Sequence, residues 1–398
     1  MEPYEEKKPN DFTFDDSFFE QNGQAANHVE HYFSDLDLSD TEFPAEPLLP
    51  PDEPIIPPAA AVPRRAQHTR HTKEKRPSRV RTVLLRIFAT IFVTGCACGV
   101  FCLGLAMILC YGPSVEARNS FVSTFHETSH FKWIPNLFFS QEKVASILAM
   151  NTLIEPGQQT TKDVPFTEPD KPLDTIEVYN VQGLTYTGKM MVVYDPSRVT
   201  VGTLPSFGGK GWTIEQFVEK TGAVGAINAG GFVDWGGDTS GSRPIGVVIK
   251  DGKLVYGGQN STVSVVGFDN TNHLVVGKMK VKEALERGVR DAVDFGPVLI
   301  VNGEPAEVLG SGGGLNPRTV IGQRADGVVL LLVIEGRQPH SLGASFADCI
   351  EQMLAFGAIN AGNLDGGSST MMMYQGKPLT AGASMYGSRT LPTVFLVI

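Results

Sequence analysis

The sequence predicts an α+β chain: a mixed, largely antiparallel β-sheet system with a few packed helices, preceded by one transmembrane helix and a disordered N-terminal tail. Three observations carry this expectation. From about Ile176 onward, short apolar and β-branched runs alternate with Gly, Asn and Asp, the texture of strands joined by tight turns. Within that region two stretches start like helices, at Thr213 and Ser345, both good N-cap residues. Earlier in the chain, Ile87 to Tyr111 is 25 residues without a charge, long enough to cross a bilayer with some tilt.

The N-terminal part is segregated by charge. Residues 1–60 hold fifteen Asp or Glu against two Lys or Arg, whereas residues 64–86 hold nine Lys or Arg against one Glu. Residues 1–63 are acidic, proline-rich toward their end and without a sustained period, so they cannot bury a core. Residues 1–82 are therefore expected to be a disordered cytoplasmic tail, acidic and then basic. Phe12, Phe14, Phe18 and Phe19 leave room there for a motif that binds a cytoplasmic partner.

The transmembrane helix is drawn over 83–111. A basic cluster precedes it, and Arg118 is the sole basic residue in the twenty that follow. The positive-inside rule then puts the N-terminus in the cytoplasm and the rest outside. Basic residues set against a span suit anionic lipid better than nucleic acid, and no nucleic-acid partner is expected. Cys96, Cys98, Cys102 and Cys110 fall in the span, and only Cys349 lies beyond it. An outward domain with no disulfide suggests a bacterial cell membrane rather than an animal secretory product.

Residues 112–175 are read as an extracellular stem and linker, aromatic at first (Phe121, Phe125, Trp133, Phe138, Phe139), where either a helix near the membrane interface or a packing arm for the globular domain is expected, and then marked by Pro156, Pro165, Pro169 and Pro172. The globular domain is placed at 176–398. Its strands are expected at 176–181, 189–194, 224–228, 245–250, 254–256, 263–268, 274–276, 298–301, 319–322, 328–335, 359–363, 370–374 and 394–397. Asp251-Gly252, Asn302-Gly303 and Gln375-Gly376 occupy hairpin positions. Val328 to Ile334 is so apolar that it reads as a central strand covered on both faces.

Thr213 has Gln216 three residues on, and Ser345 has Asp348, each approximating a capping box. In both, Gly-Ala-Ile-Asn-Ala-Gly begins twelve residues after the cap, at Gly225 and at Gly357. This echo predicts two quasi-equivalent helix–strand units whose strand ends meet at one site. The second unit runs on into Asn363-Leu364-Asp365-Gly366-Gly367-Ser368-Ser369, where a carboxylate is flanked by hydroxyls and open backbone.

Familiar alternatives fail. No phosphate-binding P-loop motif is present. After residue 175 the histidines are His273 and His340 and the cysteine is Cys349, without zinc-ligand spacing. The Gly-Ser-Gly-Gly-Gly run at 310–314 lacks a strand-to-helix context and is a weak hydrolase signal. Carboxylate, Arg and Asn chemistry remains, which suits a sugar or a phosphate.

The ordered set Asn228-Ala229-Gly230-Gly231-Phe232, Phe295-Gly296-Pro297, Asn316-Pro317-Arg318-Thr319, Glu335-Gly336-Arg337 and Leu364-Asp365-Gly366-Gly367-Ser368-Ser369 resembles the phosphodiester glycosidase family, over roughly residues 175–398. The resemblance implies hydrolysis of a sugar 1-phosphodiester to a free sugar and a phosphomonoester. Asp365 would then be the carboxylate, as nucleophile or as base for water. Arg318 would hold the departing phosphate, with Arg337 or Arg389 as a second clamp, and Glu335 would serve if a general acid is used. Asn228, Asn316 and Asn363 would bind sugar hydroxyls or phosphate oxygens. Gly230, Gly231, Thr319, Gly366, Gly367, Ser368 and Ser369 would complete the binding surface. The resemblance names no definite cofactor, and a divalent cation would find carboxylates at Asp234, Asp238 or Asp365. The competing expectation is a non-catalytic protein that binds envelope polysaccharide or organises its assembly through the same cleft.

Overall fold

A computed structural model describes residues 79–128, 131–162, 164–234, 240–382 and 387–398. Of the tail expected over 1–82, residues 1–78 lie outside the described residues, as does Asp238, and residues 79–82 instead form the start of a helix. The chain divides into two units within its first helix, between Gly99 and Val100. Helix α1, Arg79–Tyr111, is long and apolar enough to cross a membrane.

From Val100 onward, helices α2 (Val115–Glu127), α3 (Gln141–Ala149), α4 (Ile214–Thr221), α5 (Val281–Glu286) and α6 (Phe346–Ala355) accompany three main sheets. Every strand pairing is antiparallel. The largest sheet runs Glu304–Pro305, Val298–Val301, Ala358–Leu364, Arg318–Arg324, Val329–Ile334, Thr187–Val193 and Ile176–Gln182 in spatial order. A second runs Lys377–Pro378, Met372–Tyr374, Gly225–Asn228, Thr393–Val397 and Val199–Thr203. The third runs Lys253–Tyr256, Val248–Lys250, Val289–Asp294, Thr262–Asp269 and Leu274–Lys280.

The two-residue period of a strand explains how these sheets share cores. In Val329–Ile334, Val329, Leu331 and Val333 enter a central core, while Leu330, Leu332 and Ile334 enter a second core beneath α6. In Thr393–Val397, Phe395 and Val397 face the central core, while Val394 and Leu396 pack with Ile214 and Phe217 of α4. In the third sheet, Val248 and Val266 face the centre, while Ile249 and Val265 pack with Val281 and Ala284 of α5. Each sheet thus gives one face to a common core and the other to one helix. The strand expected to be covered on both faces is buried at all six positions.

Phe395 is fully buried and meets Phe268 edge-on at 6.3 Å between ring centroids. Phe395→Ala is expected to lower unfolding free energy by about 3–5 kcal/mol, read as a lower denaturant midpoint with an unchanged slope.

Residues 115–154 pack into the same unit. Val122 of α2 joins Val144 and Ile147 of α3 in a small core. The short strand Leu153–Ile154 then pairs with Glu307–Val308. The aromatic segment read as a stem is here a helical layer built onto the domain.

Candidate active site

Both capping boxes form: Thr213 with Gln216 starts α4, and Ser345 with Asp348 starts α6. Each helix feeds a buried strand, Gly225–Asn228 and Ala358–Leu364, and the two strand ends meet. The Asp365 backbone N–H donates to Ala229 O at 2.9 Å. The Asn228 side-chain amide donates to Asp365 O at 2.5 Å. Asn228 Oδ1 accepts from Thr319 Oγ1 at 2.7 Å and from the Met371 N–H at 3.2 Å. Asn228 is therefore a buried clamp on three chain segments, set behind Asp365.

Past Leu364 the chain opens a cavity of about 490 Å³. Of the residues singled out in the sequence, Gly231, Asn316, Arg318, Arg337, Asn363, Asp365, Gly366, Gly367, Ser368, Ser369 and Arg389 line it. Asn228, Gly230, Thr319 and Glu335 do not. Gly230 donates its N–H to Thr393 Oγ1 at 3.2 Å, and Thr319 is fully buried. Glu335 accepts from the Ala381 N–H at 2.7 Å and lies 3.2 Å from His340 Nε2. Its carboxylate thus ties two loops together outside the cavity. Phe232, Ile245, Phe295 and Phe346 supply apolar wall.

Asp365 Oδ1 accepts the Gly366 N–H at 3.0 Å. Burial pushes this carboxyl up to about 6; a Ser369 hydrogen bond and the nearby Arg389 charge oppose that rise, and Asp234 adds to it. At neutral pH the group is thus mostly ionised, yet within about a unit of its midpoint, the range in which a carboxyl can accept and return a proton. The Asp-Gly-Gly turn has a steric reason at Gly367, where φ is +60°. A Cβ there would stand 3.3 Å from Arg337 Nη2.

The three arginines of the cavity differ in their partners. Arg318 is 6% exposed and donates to Glu127 Oε2 and Gly314 O, each at 2.7 Å, and to Ala344 O at 3.1 Å. Its guanidinium lies 3.8 Å from the Phe346 ring centroid. Arg389 donates to Ser368 Oγ at 2.9 Å, pairs with Asp234 at 3.3 Å, and sits 4.8 Å over Phe232. Arg337 holds a left-handed φ of +60°, uncommon for a residue with a side chain. It reaches only the neutral oxygens of Asn316 and Thr128, at 3.3 and 3.4 Å. Among the described residues no carboxylate pairs with it. Burial and the neighbouring Arg318 charge pull its pKa below the usual guanidinium value.

Asn363 donates to Gly296 O at 2.8 Å, but its buried Oδ1 has no partner. Among the described residues no group of three or more His, Cys, Asp or Glu is arranged to hold a metal ion. Glu127 and Thr128 also line the cavity. The sequence reading missed them because nothing local distinguishes a glutamate at the end of α2.

Residues 221–398 match the model of the phosphodiester glycosidase family. The SPbeta prophage-derived uncharacterized protein YomE of Bacillus subtilis is 31% identical over 175 residues, 42% of this chain. The matched region spans 26% of that relative's length. Among solved structures, the catalytic domain of zebrafish N-acetylglucosamine-1-phosphodiester alpha-N-acetylglucosaminidase, auto-inhibited by pro-peptide, aligns at 19% identity with a TM-score of 0.49. That alignment covers 60% of this chain and 87% of the zebrafish one.

Proposed function

Taking as premise that residues 221–398 belong to the phosphodiester glycosidase family, we propose that the protein is an enzyme that hydrolyses a sugar 1-phosphodiester, of the N-acetylglucosamine 1-phosphodiester kind, in envelope or exopolysaccharide glycans. A glycosidase-type function follows from the family. The substrate, the roles of residues and the setting are our reading. One observation carries it: the Asp365 carboxyl lines the same cavity as Arg337, an arginine that no carboxylate pairs with among the described residues.

In this reading Arg337 grips the phosphate, because no carboxylate among the described residues pairs with it and a guanidinium matches phosphate oxygens with paired donors. Arg389 and Ser368 border the same space. Asp365 acts at the anomeric carbon as nucleophile or as base for water, where an oxocarbenium-like transition state draws on a nearby carboxylate. The bond between C1 and the phosphate oxygen breaks. Its electron pair leaves with the phosphomonoester, and water supplies the sugar's new hydroxyl. Phosphate departs readily, so no strong acid is required, and Glu335 is assigned to holding its loop. The Asn363 acceptor takes a sugar hydroxyl or amide. The apolar wall limits water around the reacting atoms.

Helix α1 is read as the anchor, with the N-terminus in the cytoplasm and the catalytic unit outside a bacterial membrane. Its length and the basic run before it support this.

The test is incubation of the full chain with N-acetylglucosamine 1-phosphate methyl ester and its glucose and N-acetylgalactosamine counterparts. Free sugar and methyl phosphate are expected in equal amounts. No release from any of them, with retention of envelope polysaccharide on the immobilised protein, would favour a binding role instead.

A further inference from the structure

We propose that α2 is a fixed wall of the active site and that Glu127 is a positioning residue, neutralising Arg318 and holding Asn316 so that Arg337 is left to take the substrate phosphate. The inference rests on the sugar-phosphodiester reading and deepens it. Glu127 lies well before the family-matched segment at 221–398.

The Glu127 carboxylate accepts three hydrogen bonds from residues 314–318. Oε2 accepts from Arg318 Nη2 at 2.7 Å and from Asn316 Nδ2 at 3.0 Å, and Oε1 accepts the Gly314 N–H at 2.7 Å. Asn316 turns its other side-chain atom toward Arg337. One carboxylate from α2 thus sets both the Arg318 guanidinium and the amide between the two arginines. Charge-assisted contacts of this kind are the stronger hydrogen bonds.

Helix α2 is seated too intimately to be a loose cover. Thr124 Oγ1 accepts the Leu315 N–H at 2.9 Å. A Cβ on Gly314 would stand 2.3 Å from the Thr124 backbone nitrogen, and one on Gly310 would stand 2.3 Å from Asn151 Oδ1. The glycine run at 310–314 is therefore a contact surface for Thr124, Glu127 and Asn151, which accounts for its composition. Val122 and Ser123 are fully buried, and the chain continues from α3 into a strand paired with the domain. With Glu127 in place the cavity still measures about 490 Å³, within the range of small-molecule sites.

The experiment compares the full chain with its Glu127→Gln and Glu127→Ala variants, by calorimetric titration with inorganic phosphate, by turnover of the sugar 1-phosphodiester, and by thermal melting. Glutamine keeps an acceptor for Arg318 and Gly314 but removes the charge. Both variants are expected to bind phosphate more tightly, roughly tenfold, the scale of one charge-assisted contact. Turnover is expected to fall about tenfold or more as the phosphomonoester is held and Asn316 loses its position. The Gln variant should melt near the parent temperature. Unchanged phosphate affinity would overturn the proposal, as would affinity, turnover and melting temperature falling together, the mark of a merely structural contact. Turnover that rises would overturn it as well, since α2 would then be a plug. Should the parent chain cleave none of the esters, the functional reading fails separately, and the phosphate titrations still decide the role of Glu127.

Discussion

Replacing Asp365 by Asn is expected to reduce hydrolysis by on the order of 10³-fold or more and, at the same time, to stabilise the fold above neutral pH. The second effect follows from the raised pKa. Asp365 titrates at about 6 in the folded chain against an ordinary 3.8, so the unfolded chain ionises it more readily. Its favourable contribution is fully present below about pH 4 and is lost as pH rises through about 6. At pH 8 the buried carboxylate therefore costs about 2–3 kcal/mol, at 1.36 kcal/mol per unit. Asn carries no such cost. Melting temperatures should thus separate by several degrees at pH 8, with the variant higher, and converge at pH 4. For the parent enzyme, kcat/KM should fall with decreasing pH below about 6, because the ionised form is the one that attacks or deprotonates. A variant with parental activity, or one that is less stable at pH 8, would remove Asp365 from the mechanism.

Arg337 carries the second large effect. Arg337→Met is expected to weaken inorganic phosphate binding about ten- to a hundred-fold, the value of a charge-assisted hydrogen bond without a substitute. Arg337→Lys should recover only part of it, because an ammonium cannot reproduce the paired donors of a guanidinium. Arg337→Gly should lose binding as Met does, yet melt higher than Met. Glycine accepts the left-handed φ of +60° without the cost borne by other residues, on the order of 1–2 kcal/mol. Equal melting of the Gly and Met variants would show that the backbone there is unstrained. Phosphate affinity that survives all three changes would pass the anion-binding role to Arg318 or Arg389.

Much of this arrangement is legible along the chain, and the reason is range. Capping boxes at Thr213 and Ser345 depend on residues three apart, and hairpin turns on adjacent pairs. The double burial of Val329–Ile334 shows as six consecutive apolar residues, because both faces of the strand meet cores. The Gly-Ala-Ile-Asn-Ala-Gly echo likewise reports that two strands must let chains pass close together where they meet. The family resemblance rests on motifs of this local kind, and Asp365 was singled out through them.

Elements decided by partners far away in sequence were not legible. Strands Val199–Thr203 and Val289–Asp294 were not expected, the latter because Arg290 and Asp291 interrupt its apolar pattern. In the fold Asp291 is buried against Thr200 and Lys250, partners no window can supply. The same holds within the site. Asn228 and Thr319 read as ligand groups but turn toward each other, and Glu335 turns out of the cavity toward Ala381. Glu127, 191 residues from Arg318, has no local signature at all. The sequence by itself thus determined the sheets and helices that have local signals, the paired strand ends and the carboxylate at their junction. Only the tertiary structure decided which of the three arginines stands without a carboxylate partner among the described residues, by bringing Glu127 of α2 to Arg318 and Asp234 to Arg389, since charge pairing depends on distance in space rather than along the chain.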